Sequence, residues 1–282
     1  MHPTGIDQPR RYHARMNPTG TWHSRLTRTG RAAQQWVIEW WQLVHLGAVI
    51  LVLTLSPSSY SRESRAVLGR HIYLNTAPIL LGFSLLCALV TVVLTRIVLV
   101  TALSYGLSQY ALQVVIRVLV LELIPLTAAM FVALRCTIPD GAELTAMQAS
   151  GELDEMRRKG VEPIRREVLP RVVAGMFSGV TLAALSSVVA LMVAYVAVYG
   201  FSLSGLAGYT RLFGQVFTPA VTLIFVLKTI FFCLAVSLIP MASALYGMRG
   251  ASVRTSAEMR GLVRMFAVIL LIEVASLVGN YY

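Results

Sequence analysis

Charged side chains are scarce in this chain, and their scarcity limits the class of protein. Only 13% of the 282 residues are charged, 56% are apolar, and the mean hydropathy is +0.70. A soluble domain carries about 25% charged residues, so this composition excludes a soluble protein and predicts one embedded in a membrane. Because long apolar blocks cross a bilayer as helices, we expect an all-α integral membrane protein.

Cysteine, histidine and nucleotide-binding loops are also too few for several kinds of site. The three cysteines are far apart and odd in number, which excludes a disulfide framework and zinc-ligand spacing. The five histidines all lie within the first 71 residues, so later apolar blocks have none for a Ser-His-Asp triad. The phosphate-binding pattern Gly-x-x-x-x-Gly-Lys-Ser/Thr is missing. We therefore expect no catalytic residues, metal site or cofactor here; any ATP and Mg²⁺ would be bound by a partner ATPase.

Five apolar blocks are long enough to cross a bilayer as helices. They cover residues 77–103, 111–134, 172–199, 219–246 and 262–278. A sixth block, residues 36–55, has its tryptophans crowded at one end, which favours a helix lying at the membrane interface. The chain is thus divided into a mobile basic tail (1–34), an interfacial helix with its connector (35–76) and a five-span membrane domain (77–282).

The basic residues alternate between the connections of these spans. Residues 1–71 contain nine arginines, residues 136–171 six Arg or Lys, and residues 247–264 four, whereas the two other connections contain only Arg211. Five spans place all three basic regions on one side, as the positive-inside rule requires. This distribution explains the net charge of +11 without nucleic acid. It predicts a cytoplasmic N-terminus and an external C-terminus.

Residues 136–171, here called the polar island, hold seven of the thirteen acidic residues. Asp140 as N-cap, Glu143 in capping-box spacing, and Gly160 with Pro163 as stop signals predict one helix over about 141–159. Apolar positions recur along this helix at Ala142, Ala146, Ala149, Leu153 and Met156. The helix could lie on its own protein or on head groups, or dock a cytoplasmic partner.

Five ionisable residues lie inside the predicted spans, where each costs on the order of 3 kcal/mol unless it has a partner or a cavity. They are Arg96, Arg117, Glu122, Lys228 and Glu273. Arg117 and Glu122 are separated by about 140° on an α-helix, so their partners should be on other helices. Pro125 should free a carbonyl one turn back. Two interpretations remain open: a buried pair that fixes helix register, or a polar lining.

Small residues recur four apart in the third span, which lets another helix approach closely. They are Gly175, Gly179, Ala183 and Ser187. The pattern fits either packing inside the bundle or a seam between two copies.

Several of these residues resemble the motifs of the MlaE-type permeases. Glu122-Leu123-Ile124-Pro125 is similar to the family's Glu-Leu-Gly-Pro, and Gly160-Val161-Glu162-Pro163 to its Met-Gly-Val-Asp-Pro. Arg135, Ala142-Glu143, Glu152-Leu153, Met156 and Arg171 follow at matching distances. The sequence departs from the pattern at Leu134, at Cys136 and at Gly151.

The resemblance implies the membrane subunit of an ABC transporter for phospholipid or a related lipid, in the bacterial inner membrane. It implies an elbow helix and five spans, with the polar island as the coupling helix between the second and third. The implied partners are a second permease copy, ATPase subunits, an external MCE-domain protein and a small STAS-domain subunit. A secondary transporter and a non-transporting scaffold remain as alternatives.

The resemblance also assigns roles to residues. The outward-opening cavity between two copies would be lined by Arg117, Val118, Leu121, Glu122, Pro125, Ile224, Lys228, Phe231 and Glu273. Lys228 and Arg117 would offer positive charge to a phosphate, and Glu122 would hold them. The ATPase would meet Ala142, Glu143, Ala146, Ala149, Glu152, Leu153, Met156, Gly160 and Pro163.

The five-span topology predicts which single cysteine substitutions an impermeant reagent can reach. Positions near Ser204 and Tyr282 should react from outside, and positions near Arg158 and Arg254 only from the cytoplasm, because the basic loops are retained inside. The measurement is thiol labelling of intact cells and of inverted vesicles. Labelling of Arg158→Cys from outside would overturn the five-span topology.

Overall fold

The computed structural model describes residues 19–56, 62–246 and 251–281, and these residues are helical apart from short connections. The α-helices are α1 Thr19–Leu55, α2 Arg62–Ser104, α3 Ser108–Val115, α4 Ile124–Val132, α5 Ile138–Ser150, α6 Glu152–Arg158, α7 Leu169–Tyr199, α8 Leu206–Val216, α9 Pro219–Tyr246 and α10 Ala251–Tyr281. Six helical stretches within this part are long and apolar enough to cross a membrane. The chain is an all-α integral membrane protein, with one compact unit ending at Gln42 and a second starting at Leu43.

The first two helices begin earlier than the sequence predicts. The predicted mobile tail, residues 1–34, is helical from Thr19; its first 18 residues lie outside the described part. Helix α2 begins at Arg62, inside the predicted connector, and its 43 residues extend about 64 Å, roughly twice the thickness of a bilayer's hydrocarbon. Hydropathy marks the part of a helix that lipid surrounds, and a helix can continue into water beyond it.

The second predicted span is likewise part of a longer helix. A helical path runs from α3 to the end of α5 without a break, through π-helical turns at Ile116–Leu123 and Ala133–Thr137. The predicted end at residue 134 is therefore wrong. So is the prediction of Asp140 as an N-cap, because the helix arrives from the preceding turns and leaves no free N-terminus there.

The predicted helix over residues 141–159 is two helices. Gly151 has φ +81°, a left-handed conformation that ends α5 and lets α6 start in a new direction. Gly160, with φ +76°, terminates α6 as predicted, and the N–H of Val161 reaches back to the carbonyl of Met156 at 3.0 Å. One residue that departs from the family motif, Gly151, therefore sets the shape of the island.

The small residues of α7 pack inside the bundle. A Cβ on Gly175 would lie 2.6 Å from Oγ of Ser237, and one on Gly179 would lie 2.5 Å from Sγ of Cys233, both on α9. Ala183 is buried in a core that α2, α4 and α7 share. Packing within the bundle, the first interpretation of this pattern, is therefore correct for these three positions.

Helix α8 closes one end of the membrane domain and was not predicted. Tyr209 on α8 is buried, donates a hydrogen bond to the carbonyl of Leu191 at 2.8 Å, and meets the ring of Tyr195 edge-on. The sequence of α8 has too few apolar residues to be recognised as a span, and its apolar stripe is only three turns long.

We expect Gly179→Ala to lower the free energy of unfolding by about 1–3 kcal/mol, because the new methyl group would meet Cys233. Cys233→Ala in the same chain should recover most of this loss, since it removes the sulfur. The matched control is Gly82→Ala, a helical position where a Cβ meets nothing within 4 Å. Thermal unfolding in detergent measures all three; equal losses at Gly82 and Gly179 would contradict the packing.

Candidate functional site: an ion cluster inside the membrane domain

The π-helical turns at Ile116–Leu123 position the first carboxylate of the site. They are followed at once by Pro125, which has no N–H to donate to the carbonyl of Leu121. A π-helical turn has a wider hydrogen-bond ring than an α-helical turn and often marks a functional site. The carbonyl of Leu121 lies 3.5 Å from Nζ of Lys228 on α9, so the group that the proline frees, as predicted, faces an ammonium.

Lys228 lies between two carboxylates from two other elements. Its Nζ contacts Oε2 of Glu122 directly and lies 2.8 Å from Oε2 of Glu273 on α10. Only 1% of the lysine side chain is exposed, against 13% of Glu122 and 16% of Glu273. The ring of Phe232 covers the ammonium at 5.6 Å from its centroid. We call Glu122, Lys228 and Glu273 the ion cluster.

Asn280 joins the ion cluster from the last turns of α10. Its Nδ2 donates to Oε1 of Glu122 at 3.3 Å. Glu273, the buried Ser276 and Asn280 lie three and four residues apart, so they share one face of α10. Asn280 was not among the residues predicted for the site, although this polar row at helical spacing lies in an otherwise apolar segment.

The arrangement assigns Lys228 a different role from the one expected. An ammonium that two carboxylates and a carbonyl surround, with almost no exposed surface, cannot offer its charge to an incoming phosphate. With all three side chains ionised the cluster carries a formal charge of −1, so its more accessible side is acidic. Glu122 does hold a cation, as expected, and that cation is Lys228.

Arg117 stands apart from the ion cluster. It is half-buried, and its Nε is buried without a hydrogen-bond partner in the described part of the chain. The expectation that Arg117 and Glu122 point apart assumed α-helical geometry, whereas both lie in the π-helical turns, where bonds join residues five apart. The carboxylate nevertheless pairs with α9 and α10, on other helices as predicted, and Arg117 remains available.

The predicted apolar walls of the cavity divide into two groups. Val118 is 51% exposed and Phe231 47% exposed, so both can face lipid. Ile224 is half-buried, whereas Leu121 and Pro125 are buried in the bundle and cannot line a cavity in this structure.

The polar island is fixed to the membrane domain by a second buried cation. Arg171, at the start of α7, is 3% exposed and pairs with Glu167 at 2.8 Å and with Glu143 on α5 at 3.3 Å. Gln148 also donates to the carbonyl of Leu245 at 3.1 Å, at the end of α9. Glu143, expected to meet the ATPase, therefore has an intramolecular partner, although 63% of its side chain is exposed.

The predicted docking residues are not one continuous face. Ala142, Ala146, Ala149, Glu152 and Gly160 are exposed, and Met156 is half-buried. Leu153 and Pro163 are buried; the turn at Gly151 lets α6 start in a new direction, and Leu153 on α6 faces into the protein. On α6, a hydrogen bond from Lys159 lowers the pKa of the exposed Glu155 below its ordinary value.

Among the described residues, no group of three or more His, Cys, Asp or Glu side chains could hold a metal ion.

A family model described as Permease MlaE matches residues 68–278, well over half of the chain. The chain belongs to the MlaE permease family. No curated protein matches it. The match includes the ion cluster and the polar island of this MlaE permease and excludes α1.

Membership defines the broad function. The chain is a multi-pass membrane permease, the membrane subunit of a transporter. The charged residues of the ion cluster and of the island all fall within the matched domain.

The ion cluster predicts an order of stability among three single substitutions. Lys228→Met leaves two carboxylates facing each other and should cost about 3–5 kcal/mol. Glu122→Gln and Glu273→Gln each leave a one-to-one pair and should cost much less. If the site were a simple pair, combining Lys228→Met with Glu122→Gln would restore the stability that Lys228→Met removes. The cluster predicts that this double substitution restores the stability only in part, and that adding Glu273→Gln restores the rest.

The measurement is thermal unfolding of the purified variants in one detergent. Asn280→Ala serves as a control that removes a neutral donor from Glu122. If Glu122→Gln destabilised the permease as much as Lys228→Met, the shared-lysine arrangement would be wrong.

Proposed function

We propose that this MlaE permease is the membrane subunit of an ABC transporter that moves phospholipid or a related lipid between the inner membrane and an external MCE-domain protein. Two copies form the permease, and separate ATPase subunits supply the energy from the cytoplasm. A small STAS-domain subunit is a further component of the proposed complex. The N-terminus is cytoplasmic and the C-terminus external.

The observation that carries this proposal is the ion cluster within membrane-spanning helices whose other residues are mostly apolar. An amphiphilic cargo needs apolar walls beside polar groups, and a membrane protein retains intramembrane charge where it has a use. Val118 and Phe231 supply exposed apolar surface close in sequence to Glu122 and Lys228. This combination supports a lipid cargo.

The contact with a lipid phosphate is proposed for Arg117. Lys228 is enclosed by its two carboxylates, whereas the buried Nε of Arg117 has no hydrogen-bond partner among the described residues and its guanidinium suits phosphate geometry. The ion cluster then acts as the rigid acidic support beside this contact. Its more accessible carboxylates would favour the amine of a zwitterionic head group over a second phosphate.

Coupling to an ATPase is proposed through the exposed part of the polar island. The chain has no phosphate-binding loop of its own, so hydrolysis needs another subunit. Ala142, Ala146 and Ala149 form a small, exposed stripe on α5, and the pair of Arg171 with Glu143 holds this helix on α7. A motion of the ATPase at α5 would therefore be transmitted to the membrane domain through this direct contact and not through a flexible loop.

The test is copurification of the tagged full chain, followed by mass spectrometry of bound proteins and lipid. The wild type should carry an ATPase, an MCE-domain protein and phospholipid. Ala149→Arg should lose the ATPase and keep the phospholipid, because the position is exposed and distant from the ion cluster in sequence. Ala220→Arg, at an alanine that is also exposed and lies at the start of α9, is the matched control.

Leu153→Arg does not serve this test, because it would bury a charge and unfold α6. ATPase at wild-type yield with Ala149→Arg would show that the docking surface is wrong. A wild-type preparation with phospholipid but no ATPase would favour a secondary transporter, and one with neither would favour a scaffold.

A further inference from the structure

A single arginine interrupts the apolar outer surface of α2. Arg96 is exposed, as are Val92, Val93 and Ile97 around it. Ionisable residues in membrane spans almost always face the interior of the bundle or a water-filled cavity, and the ion cluster follows that rule. Arg96 faces outward instead, which places a positive charge on the surface that meets lipid.

The described part of the chain offers Arg96 no counter-charge. The ion pairs there do not include Arg96, and the two carboxylates of the ion cluster are bound to Lys228. Arg96 lies about two turns before the C-terminal end of α2 at Ser104. Because the Cα–Cβ bonds of an α-helix tilt toward its N-terminus, the side chain starts out away from this nearer end. This direction hinders snorkelling and favours an anion that comes to Arg96.

A groove begins beside Arg96 and continues between α2 and α7. Its volume is about 600 Å³, and it is lined by apolar residues that include Leu85, Leu89 and Val92 of α2 and Val193 of α7. At 100° per residue, the three α2 positions and Arg96 fall within an arc of about 60°. One strip of the surface therefore combines an apolar groove with a cation at its end.

The dimensions of this strip match a phospholipid. The groove covers residues 82–92 of α2, about 15 Å of helix, which is half the thickness of a bilayer's hydrocarbon and so the depth of one leaflet's acyl chains. Counted from Ala77, where the apolar block begins, about 30 Å of hydrocarbon ends close to Arg96. The guanidinium is therefore near the level of the head groups, and the groove extends from it toward the middle of the bilayer.

We propose that one anionic phospholipid binds this surface, with its phosphate on the guanidinium of Arg96 and an acyl chain in the groove between α2 and α7. An arginine binds phosphate through a planar fork of donors. A head group with net negative charge is favoured, because the amine of a zwitterionic head group already neutralises its phosphate. The site is separate from the proposed transport path, since no residue of α2 belongs to the ion cluster.

Two other occupants fit this surface less well. If a second copy packed α2 against α2 across a two-fold axis, the two Arg96 side chains would lie at the same level and repel each other. The intramembrane carboxylates that a second copy would bring, Glu122 and Glu273, are already bound to Lys228. A membrane helix of a different protein would need a carboxylate of its own inside a span, which is costly, whereas a phospholipid carries its phosphate at this level already.

The test measures which lipid occupies the groove of the full chain in reconstituted vesicles. The four native tryptophans are replaced by phenylalanine, and Leu89→Trp places the only indole in the groove. Brominated phosphatidylglycerol quenches the emission in competition with unlabelled phosphatidylcholine, which gives the relative binding constant of the two lipids. We expect a preference for phosphatidylglycerol of about fivefold, the effect of one arginine beside an anionic head group.

The controls separate Arg96 from the general charge of the protein. Arg96→Gln should reduce the preference to near unity, and Arg96→Lys, which keeps the charge, should retain most of it. Arg211→Gln removes the same charge from an exposed position on α8 and should leave the preference intact. The matched reporter is Val188→Trp, at an exposed α7 position about 140° around the helix from Val193, and it should show no preference.

Three results would overturn the proposal. The first is equal binding of both lipids at Leu89→Trp, or a preference that survives Arg96→Gln. The second is a preference of the same size at Val188→Trp, which would show only a general attraction of anionic lipid to a basic protein. The third is an indole at residue 89 that brominated lipid of either kind fails to quench, because a protein would then cover the groove.

Discussion

The neutralisation of Lys228 inside the membrane is the interaction on which the rest of this structure depends. An ammonium that is 1% exposed in an apolar bundle is stable only with close counter-charges, and it has two. One carboxylate comes from the π-helical turns after α3 and the other from α10. Because Lys228 needs both, α9 is held between these two elements. The same requirement explains why Lys228 faces inward, toward Glu122 and Glu273.

The backbone around Glu122 serves this neutralisation. Pro125 removes a donor, the π-helical turns widen the helix, and the carbonyl of Leu121 becomes a further acceptor near the ammonium. On the same helical turns, Nε of Arg117 has no hydrogen-bond partner within the part of the chain that the structure describes, and Val118 is exposed. The residues that neutralise Lys228 and the candidate lipid contacts thus lie within a few residues of each other on one helix.

The sequence predicted which segments enter the membrane better than where the helices end. The start of α9 at Pro219 was predicted, because Thr218-Pro219 marks it, and the predicted span of residues 219–246 is helical throughout. The second span was cut short at residue 134, since hydropathy falls there while the helix continues to Ser150. Gly151 was treated only as a departure from a motif, although a glycine between two short stripes was a sign of the turn.

The ion cluster was predictable as a set of residues but not as an arrangement. The cost of intramembrane charge identified Glu122, Lys228 and Glu273 from the sequence, and the proline indicated a freed carbonyl. Their mutual partnership depends on how three helices pack, and no local pattern contains that information. The π-helical turns were equally hidden, because their residues have the same apolar periodicity as an α-helix over eight positions.

The most direct test of the account is lipid transfer from proteoliposomes that contain the permease and the ATPase proposed to copurify with it. A fluorescent phospholipid in these vesicles is offered to the proposed MCE-domain partner, and its transfer is followed with and without ATP. The account predicts transfer that requires both the permease and ATP hydrolysis. Transfer that proceeds without ATP and follows a proton gradient instead would contradict it.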